Sequence, residues 1–362
     1  MNIATINLYQ YSLPLTETIS IRGHKMTVRD GLIIQLISSH GHEGFGEIAP
    51  LPGLSSETLE EAREQALFLK NSLRKKDISG HVEKLDGKFD AWLNEFGLKP
   101  SVRFGFEMAV LNLMANTKKI PLNRLLSDHH HDEIKISGLI QGNKDQVKKQ
   151  AQELIAQGFT SIKLKIDKNI EEEIDKIKTA ESIINGQAML HLDANQALDF
   201  KKAVKLGEEI GCAAVIYIEE PFKDTTKIPE FFMKTLIPVA LDESLNHLSL
   251  QEIQSLDGVD VLILKPTILG GIERTWKFIN HAKKFAIDYV LSSSYESSLG
   301  LLCLAQIAGS SLRDYTAGID TFKWFKQDLL KEKLTISHGK LNIKDKMIQS
   351  KDINFELLKE IK

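Results

Sequence analysis

From about residue 134 onward, short apolar runs alternate with polar segments of helical length, and the alternation is repeated about eight times. The runs are KISGLIQG, SIKLKID, AMLHLDAN, AVIYIEEPF, IPVALDES, VDVLILKP, YVLSSSYESS and DYTAGIDT. Helix candidates such as KDQVKKQAQELIAQG and IEEEIDKIKTAESII lie between them. A strand followed by a helix, repeated in this way, predicts a parallel barrel. An open doubly wound sheet is the alternative, but no GxGxxG follows an early strand and eight units favour closure.

The first part of the chain has a different pattern, in which strands and helices are mixed. ATINLYQYSLPL and GLIIQLISSH are predicted strands, whereas SSETLEEAREQALFLKNSLRKK and SVRFGFEMAVLNLMANTKK are predicted helices. Near the C-terminus, KLTISHGKLNI is typical of a hairpin. We therefore predict an α/β fold, a TIM-like (β/α) barrel with an N-terminal α+β capping domain completed by the C-terminal tail. The capping domain would span residues 1–130, the barrel 131–322 and the tail, packed back on the capping domain, 323–362.

Composition narrows the function classes that this chain could serve. A net charge of −3 over 362 residues offers no electrostatic case for nucleic-acid binding, which would show as a basic face. No apolar run approaches the roughly 18 residues that a membrane span needs, and the start MNIATINLYQYSLPL lacks the features of a secretory signal. Cys212 and Cys303 form no disulfide framework. The expectation is a soluble, cytoplasmic protein that acts on a small molecule.

Charged residues and one asparagine end five successive apolar runs, from the second to the sixth. Because the carboxyl ends of barrel strands meet at one mouth, where active sites of this fold lie, these residues are predicted to converge. Taken singly, each is typical of a turn, a helix cap or a solvated rim. Their order on successive strands is what favours an active site. In chain order they are Lys163 and Lys165, Asp193 and Asn195, Glu219 and Glu220, Asp242 and Glu243, and Lys265.

Three carboxylates that converge at one mouth repel one another unless a cation neutralises them. Hard oxygen ligands suit Mg²⁺, with Mn²⁺ as an alternative, and we predict Asp193, Glu219 and Asp242 as the ligands. Since neighbours on a strand face opposite ways, only one glutamate of IEEP can point into the mouth. The same alternation places Lys163 and Lys165 on one side, both inward.

The lysines predict the type of reaction. A poorly hydrated lysine near a divalent ion is expected to have a lowered pKa, because its charged form is disfavoured. Such a lysine can act as a general base near neutral pH. Its target would be a weakly acidic C–H next to a carboxylate, with the metal stabilising the enediolate that forms. The predicted partner is therefore a small-molecule carboxylate.

These five elements, in this order, resemble the enolase superfamily on its muconate-lactonizing side, in which a barrel is covered by an N-terminal α+β capping domain. The resemblance spans nearly the whole chain and is greatest to the o-succinylbenzoate synthase family. The stretches that carry it are TVRDGLIIQL, GFGEIAPLPGLSSETLEEA, PSVRFGFEMAVLNL, LHLDANQAL, IEEPF, ALDESL, LILKPTILGG and SSSYESSLGL. The last of these is the most discriminating.

The resemblance implies a dehydration in menaquinone biosynthesis, in which 2-succinyl-6-hydroxy-2,4-cyclohexadiene-1-carboxylate loses water to give 2-succinylbenzoate. It implies that Lys165 abstracts the proton α to the carboxylate and returns it to the leaving hydroxyl on the same face. Lys265 would stabilise the intermediate by charge from the opposite face. Lys163 would support the carboxylate or hold down the pKa of Lys165.

The resemblance also implies where the substrate lies. The succinyl arm would be met by Ser292, Ser294 and the backbone near Gly318, and Asn195 would be a further contact. Loops at residues 22–29 and 51–55 would close from the capping domain and exclude water. One residue departs from the family: His191 stands before LDAN, where some members have an arginine.

Two other functions remain open at this stage. N-acylamino acid racemases and dipeptide epimerases of the same superfamily also need two lysines on opposite faces of one carbon. The SSSYESSLG segment favours the synthase. Dipeptide epimerases tend to carry an Asp-x-Asp element on the eighth strand, and this chain has AGIDTFKW there, which also favours the synthase. A barrel kept only as a binding module predicts broken ligands or lysines, and none are broken here.

Overall fold

A computed structural model of the chain describes residues 2–73, 77–78, 85–311 and 316–361. Its strands are β1 (Ile3–Ile21), β2 (His24–Ser38), β3 (Glu43–Ile48), β4 (Glu133–Lys135), β5 (Gly138–Ile140), β6 (Ser161–Lys165), β7 (Met189–Asp193), β8 (Ile218–Glu219), β9 (Val239–Leu241), β10 (Val259–Leu264), β11 (Asp288–Leu291), β12 (Ile336–Ser337), β13 (Lys340–Asn342) and β14 (Leu358–Ile361). Its helices are α1 (Leu59–Leu73), α2 (Lys88–Asn94), α3 (Pro100–Lys118), α4 (Leu122–Leu126), α5 (Lys144–Ala156), α6 (Ile170–Ile184), α7 (Phe200–Ile210), α8 (Ile228–Thr235), α9 (Leu250–Gln254), α10 (Pro266–Leu269), α11 (Ile272–Phe285) and α12 (Ser298–Gly309).

The N-terminal region is built on an antiparallel sheet whose strand order is β14-β1-β2-β3. β1 and β2 form a long hairpin, and the two predicted strands lie within them. The hairpin extends further than predicted, because its turn consists only of Arg22 and Gly23, with φ angles of 46° and 86°. Residues 24–29, which we expected in a loop, therefore belong to β2. The turn places Arg22 beside the barrel mouth.

The backbone of helix α3 lies very close to the backbone of this sheet, because glycines form the contact. A Cβ added at Gly46 would lie 1.8 Å from the carbonyl oxygen of Gly105, and one at Gly44 would lie 2.1 Å from that of Ala109. Both obstacles are backbone atoms of the helix, which cannot rotate away as a side chain can. Any side chain at these positions would push α3 off the sheet.

Replacing Gly46 with alanine is therefore expected to lower the free energy of unfolding by about 3 kcal/mol, the upper part of the usual overpacking range. The shift of the urea unfolding midpoint measures it. A matched control is Ser39→Ala, at the exposed turn before β3, which should leave the midpoint in place. A Gly46→Ala midpoint equal to that of the wild type would contradict the close approach.

A parallel barrel forms the second part of the fold. Seven of its strands make one sheet in the order β11-β10-β9-β8-β7-β6-β5. Residues 317–318 join its two edges: Ser137 N donates to Ala317 O at 2.9 Å and Gly318 N donates to Leu291 O at 2.8 Å. These residues thus take the eighth position. The prediction of a TIM-like barrel with an N-terminal α+β cap is confirmed, and the barrel closes as the eight repeats indicated.

The C-terminal segment contacts both parts of the molecule. β14 pairs with β1 and completes the N-terminal sheet. The predicted hairpin is present as β12 and β13, but it pairs with β4 at the start of the barrel instead of with the N-terminal sheet. The domain boundaries at residues 130 and 322 stay predictions. No helix in the described part of the chain is long and apolar enough to cross a membrane.

Two buried carboxylates of the N-terminal region attach it to helices of the barrel. Glu107 of α3 accepts from Ile272 N at 2.5 Å and Glu273 N at 2.9 Å, at the start of α11. Glu47 of β3 accepts from Gly300 N at 2.9 Å, at the start of α12. Free N–H groups and the positive end of the helix dipole favour a carboxylate at such a place. These contacts fix the N-terminal sheet over the barrel mouth.

Candidate active site

A cavity of about 270 Å³ lies at the carboxyl ends of the barrel strands, between the barrel and the N-terminal sheet. From the N-terminal side it is lined by Arg22 of the hairpin turn and by Leu51 and Leu54. These residues belong to the two segments expected to close over the mouth. From the barrel side it is lined by the following predicted site residues: Lys163, Lys165, Asp193, Asn195, Glu219, Lys265, Ser292 and Gly318.

Lys163 lies between two of the predicted metal ligands. Its Nζ is 2.9 Å from Asp193 Oδ2 and 2.7 Å from Glu219 Oε2. Burial lowers the pKa of Lys163, but the charges of Asp193 and Glu219 outweigh it and raise that pKa well above its usual range. Lys163 is therefore a firmly charged group. Its hydrogen bonds hold the two carboxylates side by side.

Lys265, which follows β10, makes an ion pair with Asp242, which follows β9. Here too burial lowers the pKa, and Asp242 and then Glu219 raise it above the usual range. We expected lysines with lowered pKa values, and for Lys163 and Lys265 the structure gives the opposite direction. The physical reason is that each ammonium touches a carboxylate directly. A cation bound to the same carboxylates would compete with these contacts.

Lys165 differs from the other two lysines. Its Cα lies opposite that of Asp193 in the pairing of β6 with β7, and its half-buried side chain lines the cavity. Within the described ranges its ammonium has no hydrogen-bonded or ion-paired partner. Of the three lysines it is thus the one whose nitrogen is available to a bound molecule.

The two glutamates of IEEP point to opposite sides, as the alternation along a strand requires. Glu219 lines the cavity. Glu220 turns away and accepts hydrogen bonds of 2.8 Å from Asp242 N, Ser244 N and Gln196 Nε2. It therefore fixes the backbone on which Asp242 stands, a supporting role that the sequence alone did not assign.

The chemistry of the three predicted ligands fits a divalent cation. Asp193, Glu219 and Asp242 stand on adjacent strands and are 2%, 1% and 6% exposed. Burial and the repulsion of Asp193 raise the pKa of Glu219 well above its usual range, although Lys163 donates to both its oxygens. The lysines thus only partly neutralise the negative charge of the three carboxylates. A set of carboxylate oxygens suits Mg²⁺ or Mn²⁺. In the described ranges no three His, Cys, Asp or Glu side chains already surround a single point.

Three of the four predicted substrate contacts line the cavity, and Ser294 does not. Asn195 lines the cavity and donates from Nδ2 to Glu243 Oε1 at 3.4 Å. Ser292 and Gly318 lie side by side on the opposite wall, where Ser292 Oγ donates to Gly318 O at 3.3 Å. Ser294 is 1% exposed and is not among the described residues that line the cavity.

The sequence placed Arg22 in a segment that closes over the mouth, but it gave neither the partner of Arg22 nor a role for Tyr295. Arg22 makes an ion pair of 3.4 Å with Glu243 across the mouth, and burial followed by repulsion from Asp242 raises the pKa of Glu243 to about 7. Tyr295 lines the wall beside Ser292. The signal for Tyr295 was present, since it lies inside the SSSYESSLG segment. Nothing local marked Arg22 as the partner of a residue more than two hundred positions away.

His191 lies on the cavity floor. Its ring is stacked on Tyr217 with centroids 4.8 Å apart, and its Nε2 is 3.1 Å from Ser137 Oγ. Burial and the charge of Lys163 lower its pKa to about 3, so the ring is neutral. His191 therefore adds no positive charge to the lining of the cavity.

Comparison with known proteins covers most of the chain. Residues 146–347 match a protein family described as "Enolase C-terminal domain-like", and residues 3–113 match "MenC, N-terminal domain". The o-succinylbenzoate synthase of Aliivibrio salmonicida is 30% identical over 333 residues, which are 90% of this chain and 92% of that relative. That of Vibrio cholerae is 30% identical over 328 residues, 89% of this chain and 90% of the relative.

Solved structures share the fold. A dipeptide epimerase from Enterococcus faecalis, solved with Mg and the dipeptide L-Leu-L-Tyr, superposes with a TM-score of 0.84. The match covers 95% of this chain and 97% of that one, at 20% sequence identity. At this identity the likeness concerns the architecture, a capped barrel, and leaves the reaction to be argued from the site.

Proposed function

The chain belongs to the o-succinylbenzoate synthase family, hydro-lyases of the enolase superfamily, and we propose that it dehydrates 2-succinyl-6-hydroxy-2,4-cyclohexadiene-1-carboxylate to 2-succinylbenzoate with a divalent metal ion. The proposal has its support in family membership and in one geometric observation. Lys165 and Lys265 stand on β6 and on the end of β10, the second and sixth of eight positions around the barrel. They therefore approach the cavity from opposite walls.

The three carboxylates belong to the strands between these two walls: Asp193 and Glu219 end β7 and β8, and Asp242 directly follows β9. We propose that Asp193, Glu219 and Asp242 hold the metal ion, whose charge would stabilise the negative charge that develops on the substrate carboxylate. The carboxylate would then lie at one side of the cavity, with the carbon that bears it between the two lysines. This arrangement is the one that abstraction of an α proton requires.

We assign the proton transfers to Lys165. Its nitrogen, free of any partner in the described ranges, would take the proton from the carbon next to the carboxylate while neutral. The C–H electron pair passes into the carboxylate as an enediolate. Lys165 would then give the same proton to the leaving hydroxyl, so that the C–O bond breaks and water departs as the ring becomes aromatic. The charged Lys265 would stabilise the enediolate from the opposite face.

The rest of the cavity suits the two ends of the substrate. Apolar side chains offer a surface for the ring: Ile263, Val290, Leu51 and Leu54. The wall formed by Ser292 and Gly318 carries polar groups, and we propose that it meets the succinyl arm, with Asn195 near the metal side. Arg22 at the mouth adds a positive charge for a substrate with two carboxylates.

Purified protein supplied with Mg²⁺ is expected to consume the cyclohexadiene carboxylate, which is followed by the loss of diene absorbance. Excess EDTA should abolish the turnover, because the three carboxylates then lack their cation, and Mg²⁺ added beyond the EDTA should restore it. A protein that is folded by circular dichroism yet gives no turnover with Mg²⁺ or Mn²⁺ would contradict the proposed function.

The opposed lysines favour one second candidate, racemisation or epimerisation of an N-acylamino acid or dipeptide. In such a reaction one lysine removes the α proton and the other delivers a proton to the opposite face. Incubation of the protein with these compounds in D₂O, followed by NMR, distinguishes the functions. Exchange of the α proton without any turnover of the cyclohexadiene carboxylate would favour the racemase over the synthase.

A further inference from the structure

Tyr295 has an unusual backbone conformation at the cavity wall. Its φ is 57°, in the left-handed region, where a residue other than glycine costs roughly 1–2 kcal/mol. The residue is half-buried and lines the cavity together with Lys265 and Ser292. Within the described ranges its phenol hydroxyl has no hydrogen-bond partner. A strained residue that presents a free hydroxyl to an active-site cavity suggests a function for it.

Arg29 holds this conformation in place. It is 1% exposed, although an arginine is almost never buried so completely without a partner. Among the residues that the structure describes, its guanidinium donates to main-chain carbonyls alone, and these come from three segments of the chain. Its bonds on the barrel side are Nε to Tyr295 O at 3.0 Å and Nη2 to Ser294 O at 3.3 Å. Its other bonds are Nη1 to Asp30 O at 3.0 Å and Pro50 O at 2.8 Å, and Nη2 to Ala49 O at 2.5 Å.

The guanidinium thus joins two walls of the cavity. One is the segment at residues 49–51, from which Leu51 lines the cavity. The other is the turn at residues 294–296, which is fixed from its far side by Glu296. The Glu296 carboxylate accepts from Ser294 N at 2.6 Å and from Thr267 Oγ1 at 2.5 Å. Hydrogen bonds from both sides thus hold the backbone of the turn at Ser294 and Tyr295.

We propose that Tyr295 contacts the substrate by donating its phenol O–H to an oxygen of the arm that lies away from the reacting carbon, and that Arg29 is the positioning residue that aims it. The inference rests on the proposed function. Tyr295 follows β11, the strand next to that of Lys265, and it lines the cavity together with Ser292, which the proposed function assigns to that arm. Burial raises the pKa of Tyr295, so the phenol stays protonated and acts as a donor near neutral pH.

The test compares Tyr295→Phe with the wild type in the diene assay. Phenylalanine keeps the ring and removes only the hydroxyl. A hydrogen bond to a charged oxygen, once lost, is expected to raise KM about tenfold. kcat should stay within about twofold, because an interaction present equally in ground and transition states affects binding alone. The matched control is Tyr9→Phe, whose hydroxyl bonds Gln35 in the N-terminal sheet outside the cavity. Its KM should not change.

The Arg29→Lys change tests the positioning role. Its effect on KM is measured once in the wild-type protein and once in the Tyr295→Phe variant. If Arg29 acts through Tyr295, its replacement raises KM several-fold in the first background and much less in the second. Strictly additive effects would overturn the positioning role. A KM of Tyr295→Phe within twofold of the wild type would overturn the contact itself, and this variant decides that point even if Arg29→Lys fails to fold. A wild type without turnover would overturn the proposed function and the contact together.

Discussion

Replacing Lys165 with alanine is expected to lower kcat by about 10³-fold or more, in the upper half of the range of about 10²–10⁴-fold for the loss of a general acid–base group. The reason is that one nitrogen performs two proton transfers: it takes the α proton and returns it to the leaving hydroxyl. Lys163 cannot replace it, because its ammonium is bonded to Asp193 and Glu219 and its pKa is raised. The diene assay at saturating substrate and Mg²⁺ measures the effect.

Two variants make this result specific. Lys165→Arg keeps a positive charge but no group that can lose a proton near neutral pH, so it should be nearly as inactive as Lys165→Ala. Lys168→Ala removes an exposed lysine three residues further along and should retain the kcat of the wild type. A Lys165→Ala variant that is folded and within tenfold of the wild type would show that another group is the base.

The strand ends are the part of the site that the sequence predicted best. Side chains alternate along a strand with a period of two, and parallel strands end at a common mouth, so Lys163, Asp193 and Glu219 could be placed together without any coordinates. The split between the two glutamates of IEEP follows from the same rule. Local patterning is sufficient here because each residue is positioned by its own strand.

The structure was needed wherever the partner of a residue lies far away in the chain. Arg29 bonds the carbonyls of Ser294 and Tyr295 across more than 260 positions, and no local pattern in TVRDGLIIQL marks it. The left-handed φ of Tyr295 likewise arises from tertiary contacts, since tyrosine has no intrinsic preference for it. The hairpin of the tail was predicted correctly, but not its pairing with β4, because register and neighbour depend on packing.

For Lys163 and Lys265 the expected direction of the pKa shift was wrong for a related reason. Burial lowers a lysine pKa and a nearby metal ion lowers it further, and the expectation rested on these two effects alone. In the structure Lys163 and Lys265 touch carboxylates, and a direct contact outweighs burial. Binding of a cation and deprotonation of a lysine are therefore linked at this site, because both respond to the charge of the same carboxylates.

Replacing Glu219 with glutamine removes the negative charge of the carboxylate and keeps the shape of the side chain. The affinity for Mg²⁺ is expected to fall by about 10²-fold or more, since alterations only one shell further out already cost 10–100-fold. Catalysis should fall with it. Isothermal titration calorimetry measures the binding directly. Thermal unfolding measures it independently, because a ligand at 100 times its Kd stabilises the folded state by about 2.7 kcal/mol. This gain should be present in the wild type and nearly absent in the variant.

Without Mg²⁺ the same variant is expected to be at least as stable as the wild type. Glu219 is 1% exposed, and burial together with Asp193 disfavours its negative charge. A neutral amide of the same shape removes that repulsion and can still accept a hydrogen bond from Lys163. The exposed Glu181→Gln is the control and should change neither stability nor Mg²⁺ binding. If the variant bound Mg²⁺ like the wild type, Glu219 would not be a ligand. If the Glu219→Gln variant were much less stable than the wild type without Mg²⁺, the carboxylate would stabilise the fold through its bond to Lys163. That result would contradict the view that Glu219 lowers the stability of the metal-free protein and serves as a metal ligand.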